Sequence, residues 1–305
     1  MNKDLIIFGK TSILATNFDS HINKSKNNII YITRKQKSLN DVVCNIGNDL
    51  KKEELDEISL KISKLSNNPQ KVFILFSWSG GPRKYERNNT IINSNILKNF
   101  LELSKLVKAK KLIFISSAGA VYPESKSYKF RESDETLAQN IYGLQKLKSE
   151  KSIKEFSESE NIKYTILRVS SAFGFDPRFS DQGVINKWLH HAINKNILQL
   201  YNSPDSLINF ISFDNISMAL GKTIDLDLEG IFNIGSENSI SLQEIINVIG
   251  KITNRKIDYE IHSENRRFFK IDINKFYNQT GIIFKINLLK DISNLYQSII
   301  KIKHI

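Results

Sequence analysis

Apolar and polar positions alternate along this chain in two rhythms. Short, nearly continuous apolar runs appear in "DLIIFGK", "NNIIYITRK", "DVVCNIG", "KVFILFSW", "KLIFISSAGAVY", "KYTILRVSSAFG" and "GIFNIGS". Between several of them lie segments with apolar residues at helical spacing, such as "KKEELDEISLKISKL" (Leu55, Ile58, Ile62, Leu65), "NSNILKNFLELSKLVKAKK" and "IYGLQKLKSEKSIKEFSE". Strands that read as unbroken apolar runs are buried on both faces, and alternation with amphipathic helices predicts a parallel sheet covered on both sides. The predicted fold class is α/β, a Rossmann-like doubly wound sheet with a smaller C-terminal lobe. The rhythm loosens near residue 175. The expected division is 1–174 as the main α/β domain, with 205–235 returning to it, and 175–204 with 236–305 as the smaller lobe.

Composition narrows this only slightly. The chain has 305 residues, 40% hydrophobic and 25% charged, ordinary for a globular protein. No apolar run reaches the roughly 18–20 residues of a membrane span, and the start is too short in apolar residues for a secretory signal. Cytoplasmic localisation is therefore expected. A single cysteine excludes an internal disulfide and a multi-cysteine metal centre, and no metal site is expected. The net charge of +12 comes from lysines spread along the chain rather than from a block, so no nucleic-acid partner is expected.

In a doubly wound fold, ligands bind beyond the carboxyl ends of the strands. The first strand runs into Gly9-Lys-Thr-Ser12-Ile13-Leu-Ala15, where small residues at three-residue spacing let backbone amides at a helix start approach a pyrophosphate. It retains one glycine and does not fit a P-loop. The second strand ends in Thr33-Arg34-Lys35, with no acid to grip ribose hydroxyls and a guanidinium suited to a 2′-phosphate. This favours NADP(H) over NAD(H), with NAD(H) as the alternative. Tyr142 and Lys146 stand one helical turn apart. They are either a surface pair or a phenol with a neighbouring ammonium, and an ammonium there is expected to lower the phenol pKa.

Taken together, "FISSAGAVYP", Tyr142-Gly-Leu-Gln-Lys146, "YTILRVSSAFG", "INFISFDNISMAL" and "GIFNIGSENSISLQEII" resemble the extended short-chain dehydrogenase/reductase superfamily, the NAD(P)-dependent epimerase/dehydratase family of nucleotide sugars. The pieces occur in the family's order over nearly the whole chain. The resemblance implies Tyr142 as acid/base, Lys146 as its partner and a holder of the nicotinamide ribose, and a serine that binds the reacting sugar oxygen. The usual serine position falls on Ala118, so Ser117 is assigned, with Ser116 as the alternative. The resemblance places Gly9, Ser12, Ile13, Arg34, Asn45, Ile46, Lys146 and Arg168 on the cofactor. It places Asn93, Ser171, Arg178 and Arg267 (next to Arg266) on the substrate.

This sequence departs from the family's pattern at Ser171, Ile208 and Asn209, which puts the diphosphate site and the nucleotide in doubt. The reaction it implies is reduction of a nucleotide-diphosphate 4-keto-6-deoxy sugar, for instance a dTDP-linked one, in surface polysaccharide synthesis. A 4-epimerase holding NAD is the alternative, and a non-catalytic NADP sensor a third reading that the intact Tyr142 and Lys146 oppose. A homodimer through the helices near 95–108 and 139–158 is also what the family implies.

Overall fold

The computed structural model of the chain describes residues 2–22, 26–81, 85–125, 128–176 and 183–303. In chain order the elements are β1 (Lys3–Phe8), α1 (Ile13–His21), β2 (Asn27–Thr33), β3 (Asp41–Val43), α2 (Lys52–Leu65), β4 (Lys71–Leu75), α3 (Arg87–Leu106), β5 (Lys111–Ser117), α4 (Ala118–Val121), α5 (Ile141–Glu160), β6 (Lys163–Val169) and β7 (Ser171–Phe173). They continue with α6 (Val184–Ile193), β8 (Leu198–Leu200), β9 (Leu207–Ser212), α7 (Phe213–Asp225), β10 (Gly230–Ile234), β11 (Ser239–Ser241), α8 (Leu242–Thr253), β12 (Tyr259–Ile261), β13 (Phe268–Phe269), α9 (Asn274–Thr280) and α10 (Leu288–Lys303).

Seven strands form one parallel sheet in the order β10-β6-β5-β4-β1-β2-β3. The apolar runs explain it. Leu5, Ile7, Ile74 and Ile113 face a core shared with Phe18 of α1 and Ile216 and Leu220 of α7. Ile6, Phe8, Phe73 and Phe114 face the opposite core with Ile58 and Ile62 of α2 and Phe100 of α3. The chain starts at β1, runs outward to β3, then crosses back to β4 and continues the other way. The reversal opens a crevice beyond the carboxyl ends of β1 and β4, where such folds bind ligands.

A smaller sheet contains β11, β9 and β13, with β7 paired to β9, and β8 pairs with β12 separately. The third core, built on Trp188, Leu189, Ile245 and Ile249 with Ile292 and Leu295, lies in this C-terminal part. The expected return of 205–235 to the main domain needs one correction. α7 packs on α1 and β10 pairs with β6, but β9 joins the smaller sheet. The segment "LINFIS" is buried through four central positions and pairs with β11 and β13 at one end and with β7 at the other, so ladder pairing decides its place. Among the described residues no helix is long and apolar enough to cross a membrane.

Candidate active site

Tyr142 is brought to the carboxyl end of β5 by an unusual closeness of two helices. Asn140 caps α5, its side chain accepting from Gly143 N at 2.8 Å. A Cβ on Gly143 would lie 2.1 Å from the Ala120 carbonyl oxygen of α4. Only glycine lets the first turn of α5 rest directly on that backbone, and α4 follows Ser117 without a break. The Tyr142 phenol consequently faces the Ser117 side chain, which acts to lower its proton affinity. Ser116 faces the other way, buried, and donates to Glu150. Ala118 is fully buried among Val121, Tyr122 and Phe269. The hydroxyl beside the phenol is therefore that of Ser117.

The electrostatics differ from the expectation drawn from spacing. Burial pushes the Tyr142 phenol up to about 12, and the Ser117 side chain only partly opposes this. Burial also brings Lys146 down to about 7, against the pull of Glu150. Desolvation of both groups outweighs the benefit of an ammonium one turn away. The phenol is thus protonated at neutral pH, a proton donor rather than a ready base. Lys146 Nζ donates to Ile115 O at 2.9 Å and stands 3.7 Å from the centre of the Trp78 ring.

Behind Lys146 lies a buried ion pair. Arg168 donates to Glu150 through Nε (3.1 and 3.2 Å) and Nη2 (2.7 Å), and through Nη1 to the Tyr122 hydroxyl at 2.7 Å. Arg168 is 4% exposed. Its assignment to the cofactor is corrected: both edges of the guanidinium are occupied inside the protein, because an unpaired buried charge would be costly. Asn93 is also fully engaged. Its Oδ1 accepts from Ser79 N, and its Nδ2 donates to Ser79 O and the Tyr85 hydroxyl. Tyr85 in turn meets the Tyr142 ring edge to face at 5.8 Å. Asn93 holds the loop after β4 and the wall of the site.

On the cofactor side, Gly9 has φ +100, and a Cβ there would lie 2.7 Å from Ser77 N. Ser12 caps α1, accepting from Ala15 N at 3.1 Å. Ile13 turns its side chain into the core, leaving only its backbone N–H for a ligand. The close approach of Gly9 to the loop after β4, above a capped helix start, is a cradle that fits a dinucleotide pyrophosphate. Arg34 is exposed at the end of β2, and no ion pair is formed by it among the described residues. Asn45 is exposed and Ile46 buried just beyond β3, which pairs with β2 at that same end.

Sequence reasoning missed Asp41. Its buried carboxylate accepts from Lys10 Nζ (2.7 and 3.0 Å), Ser38 Oγ (2.6 Å), Lys37 N (2.7 Å) and Ser38 N (3.0 Å). These donors hold it below the usual carboxylate range in spite of burial. The clasp ties the glycine turn to the loop carrying Arg34. The signal was a lone acid closing the basic stretch "RKQKSLND". Glu150 was also missed, though it follows Lys146 by four residues on the same helical face.

On the substrate side, Arg267 Nη2 donates to Gly119 O at 3.1 Å, one residue from the Ser117–Ala118 junction. Its Nε lies 3.0 Å from Glu124 Oε1, at an angle that makes an ion pair but no hydrogen bond. Arg266 instead faces outward to Asp205 at 2.8 Å. Ser171 is partly exposed on β7, just past the end of β6. Arg178 lies outside the described residues.

The model of the NAD dependent epimerase/dehydratase family matches residues 5–235 of the chain. The chain belongs to that family. Among curated relatives, the dTDP-4-dehydro-6-deoxyglucose reductase of Escherichia coli is 32% identical over 170 residues, 55% of this chain and 52% of that protein. The UDP-glucose 4-epimerase of Halalkalibacterium halodurans is 28% identical over 204 residues, 59% of this chain and 58% of that protein. The matches thus span only about half of these relatives. Solved structures share the fold over nearly the full length. The UDP-glucuronic acid 4-epimerase of Bacillus cereus, in complex with UDP-glucuronic acid and NAD, has a TM-score of 0.82 at 17% identity and covers 98% of this chain and 99% of its own. The dTDP-glucose 4,6-dehydratase of Bacillus anthracis, in complex with NAD, also has a TM-score of 0.82 at 17% identity, covering 99% and 98%.

Proposed function

We propose that this family member is an NADPH-dependent 4-ketoreductase of a nucleotide-diphosphate 4-keto-6-deoxy sugar. The observation that carries the reading is the acid-free end of β2. Arg34 stands there exposed, and the nearby carboxylate, Asp41, is already held by Lys10, Ser38 and the Lys37 amide. It is in no position to accept from ribose hydroxyls, whereas a 2′-phosphate would meet Arg34. The protonated phenol supports the reductive direction. When held at the Gly9 turn and Arg34, NADPH would supply the hydride for the C4 carbonyl carbon of the sugar. Tyr142 gives its phenolic proton to the attached oxygen, turning the ketone into an alcohol, and Ser117 holds that oxygen by hydrogen bond. Arg267, beside Gly119, is the proposed contact of the nucleotide diphosphate, and the likeness to the reductase of Escherichia coli agrees with the class of substrate.

The test is NADPH consumption against dTDP-, UDP- and GDP-linked 4-keto-6-deoxy sugars, with the product's configuration read by NMR. The 4-epimerase reading is favoured by the relatives named for that activity and by neighbours that hold NAD. Cofactor preference separates the two. If Arg34 binds a 2′-phosphate, the charge-assisted contact contributes about 1.5–3 kcal/mol, or roughly one to two decades of preference for NADPH. Arg34→Ala is expected to weaken NADPH alone and leave NADH unchanged in a binding titration. Adding Thr33→Asp is expected to turn the preference towards NADH. Tight NAD binding by the unaltered protein with indifference to NADPH would move the 4-epimerase ahead.

A further inference from the structure

Among the described residues the Lys146 ammonium makes one hydrogen bond, to Ile115 O at 2.9 Å, and is otherwise surrounded by rings. The centres of Trp78 and Phe114 stand 3.7 and 4.6 Å from Nζ, and the two rings, 5.7 Å apart and tilted by 54°, form a wedge around it. From its own helix it meets the Tyr142 ring at 5.8 Å and the charge of Glu150, whose oxygens are engaged by Arg168 and Ser116. From the segment after β4, Trp78 covers it, with Tyr85 against Tyr142 alongside. Trp78 is not placed by a hydrogen bond of its own. Its indole N–H is shielded and finds no partner among the described residues. A buried donor left unpaired is a cost, so another contact must fix the ring. The ring's backbone is fixed by Asn93 through both backbone groups of Ser79, next in the chain. A ring quadrupole facing a desolvated ammonium stabilises the charged form where water cannot.

We propose that Trp78 is a positioning residue for Lys146, its π face holding the ammonium charged and aimed beside Tyr142. The inference rests on Lys146 belonging to the reactive site, and not on which sugar is reduced. Burial acts against the charge and the indole acts for it, so losing the indole at constant dryness lowers the pH at which Lys146 gives up its proton. A leucine at 78 keeps the position apolar without the π face, and a phenylalanine restores a weaker one.

The first measurement needs no cofactor and no substrate. The chain has two tryptophans. In full-length Trp188→Phe protein, Trp78 is the sole indole, and its emission is expected to titrate with one midpoint somewhat above pH 7, since burial brings Lys146 down to about 7 and the indole acts against that. The transition is expected to vanish in Lys146→Met and persist in Tyr142→Phe. Should Trp188→Phe fail to fold, the same transition is read as the difference between unaltered protein and Trp78→Phe. The second measurement is turnover against pH. Trp78→Leu is expected to move the alkaline limb down by about one pH unit, roughly tenfold in rate at pH 8, with Trp78→Phe recovering most of it. Emission flat across the neutral range, a transition surviving in Lys146→Met, or an unmoved alkaline limb in Trp78→Leu each overturns the proposal. An enzyme silent towards every sugar offered would count against the reductase, while the emission titration still decides the role of Trp78.

Discussion

Tyr142→Phe is expected to lower turnover by about two to four orders of magnitude, the range for loss of a positioned general acid. The substitution keeps the ring and its edge-to-face contact with Tyr85, so the wall of the site stays in place. It removes the proton that burial keeps on the phenol at neutral pH, and with it the polar partner of Ser117. Cofactor affinity is expected to change little, since the phenylalanine leaves Gly9, the α1 cap and Arg34 untouched. Stopped-flow hydride transfer and a separate binding titration distinguish the two quantities. Turnover within a few fold of the unaltered enzyme would remove Tyr142 from the chemistry. Ser117→Ala is expected to fall between the two, and Ser116→Ala to act on stability through Glu150 instead.

Glu150→Ala is expected to destabilise the fold by about 3–5 kcal/mol, the cost of leaving a buried charge without its partner. Arg168 makes three hydrogen bonds to that carboxylate, and both side chains are about nineteen-twentieths buried. The loss also leaves the buried Ser116 hydroxyl without its acceptor. Denaturant unfolding of Glu150→Ala and of the double variant Glu150→Met/Arg168→Met measures it. The double variant should regain most of the loss, because a buried ion pair replaced by apolar side chains of similar volume is often close to neutral. A single variant within about 1 kcal/mol of the unaltered protein would contradict a fully desolvated pair.

The parts legible from residues alone were those with local causes. Runs such as "LIIF" and "KLIFIS" are confined to buried strands by their own composition, and the helical spacing of Leu55, Ile58 and Ile62 survives intact in α2. The pairing of Tyr142 with Lys146 is also local, one helical turn. What escaped depends on distance in the chain. Lys10 reaches Asp41 and Ser116 reaches Glu150 across 31 and 34 positions, and Asn209 stands beside Ser236 because of ladder pairing in the smaller sheet. No spacing rule carries such contacts. Proton affinity was misjudged for the same reason. Spacing supplied the neighbouring ammonium but not the burial, and burial decided the direction.

The missing Cβ of Gly143 has a consequence for motion. With α5 resting on the Ala120 carbonyl, the helix start that carries Tyr142 and the turn that continues from Ser117 move as one body. In native-state hydrogen exchange, amides of the first turn of α5 and of α4 are expected to share one opening free energy, as members of a single cooperative unit. Gly143→Ala would split them, and the phenol would then drift from the serine even in molecules that remain folded.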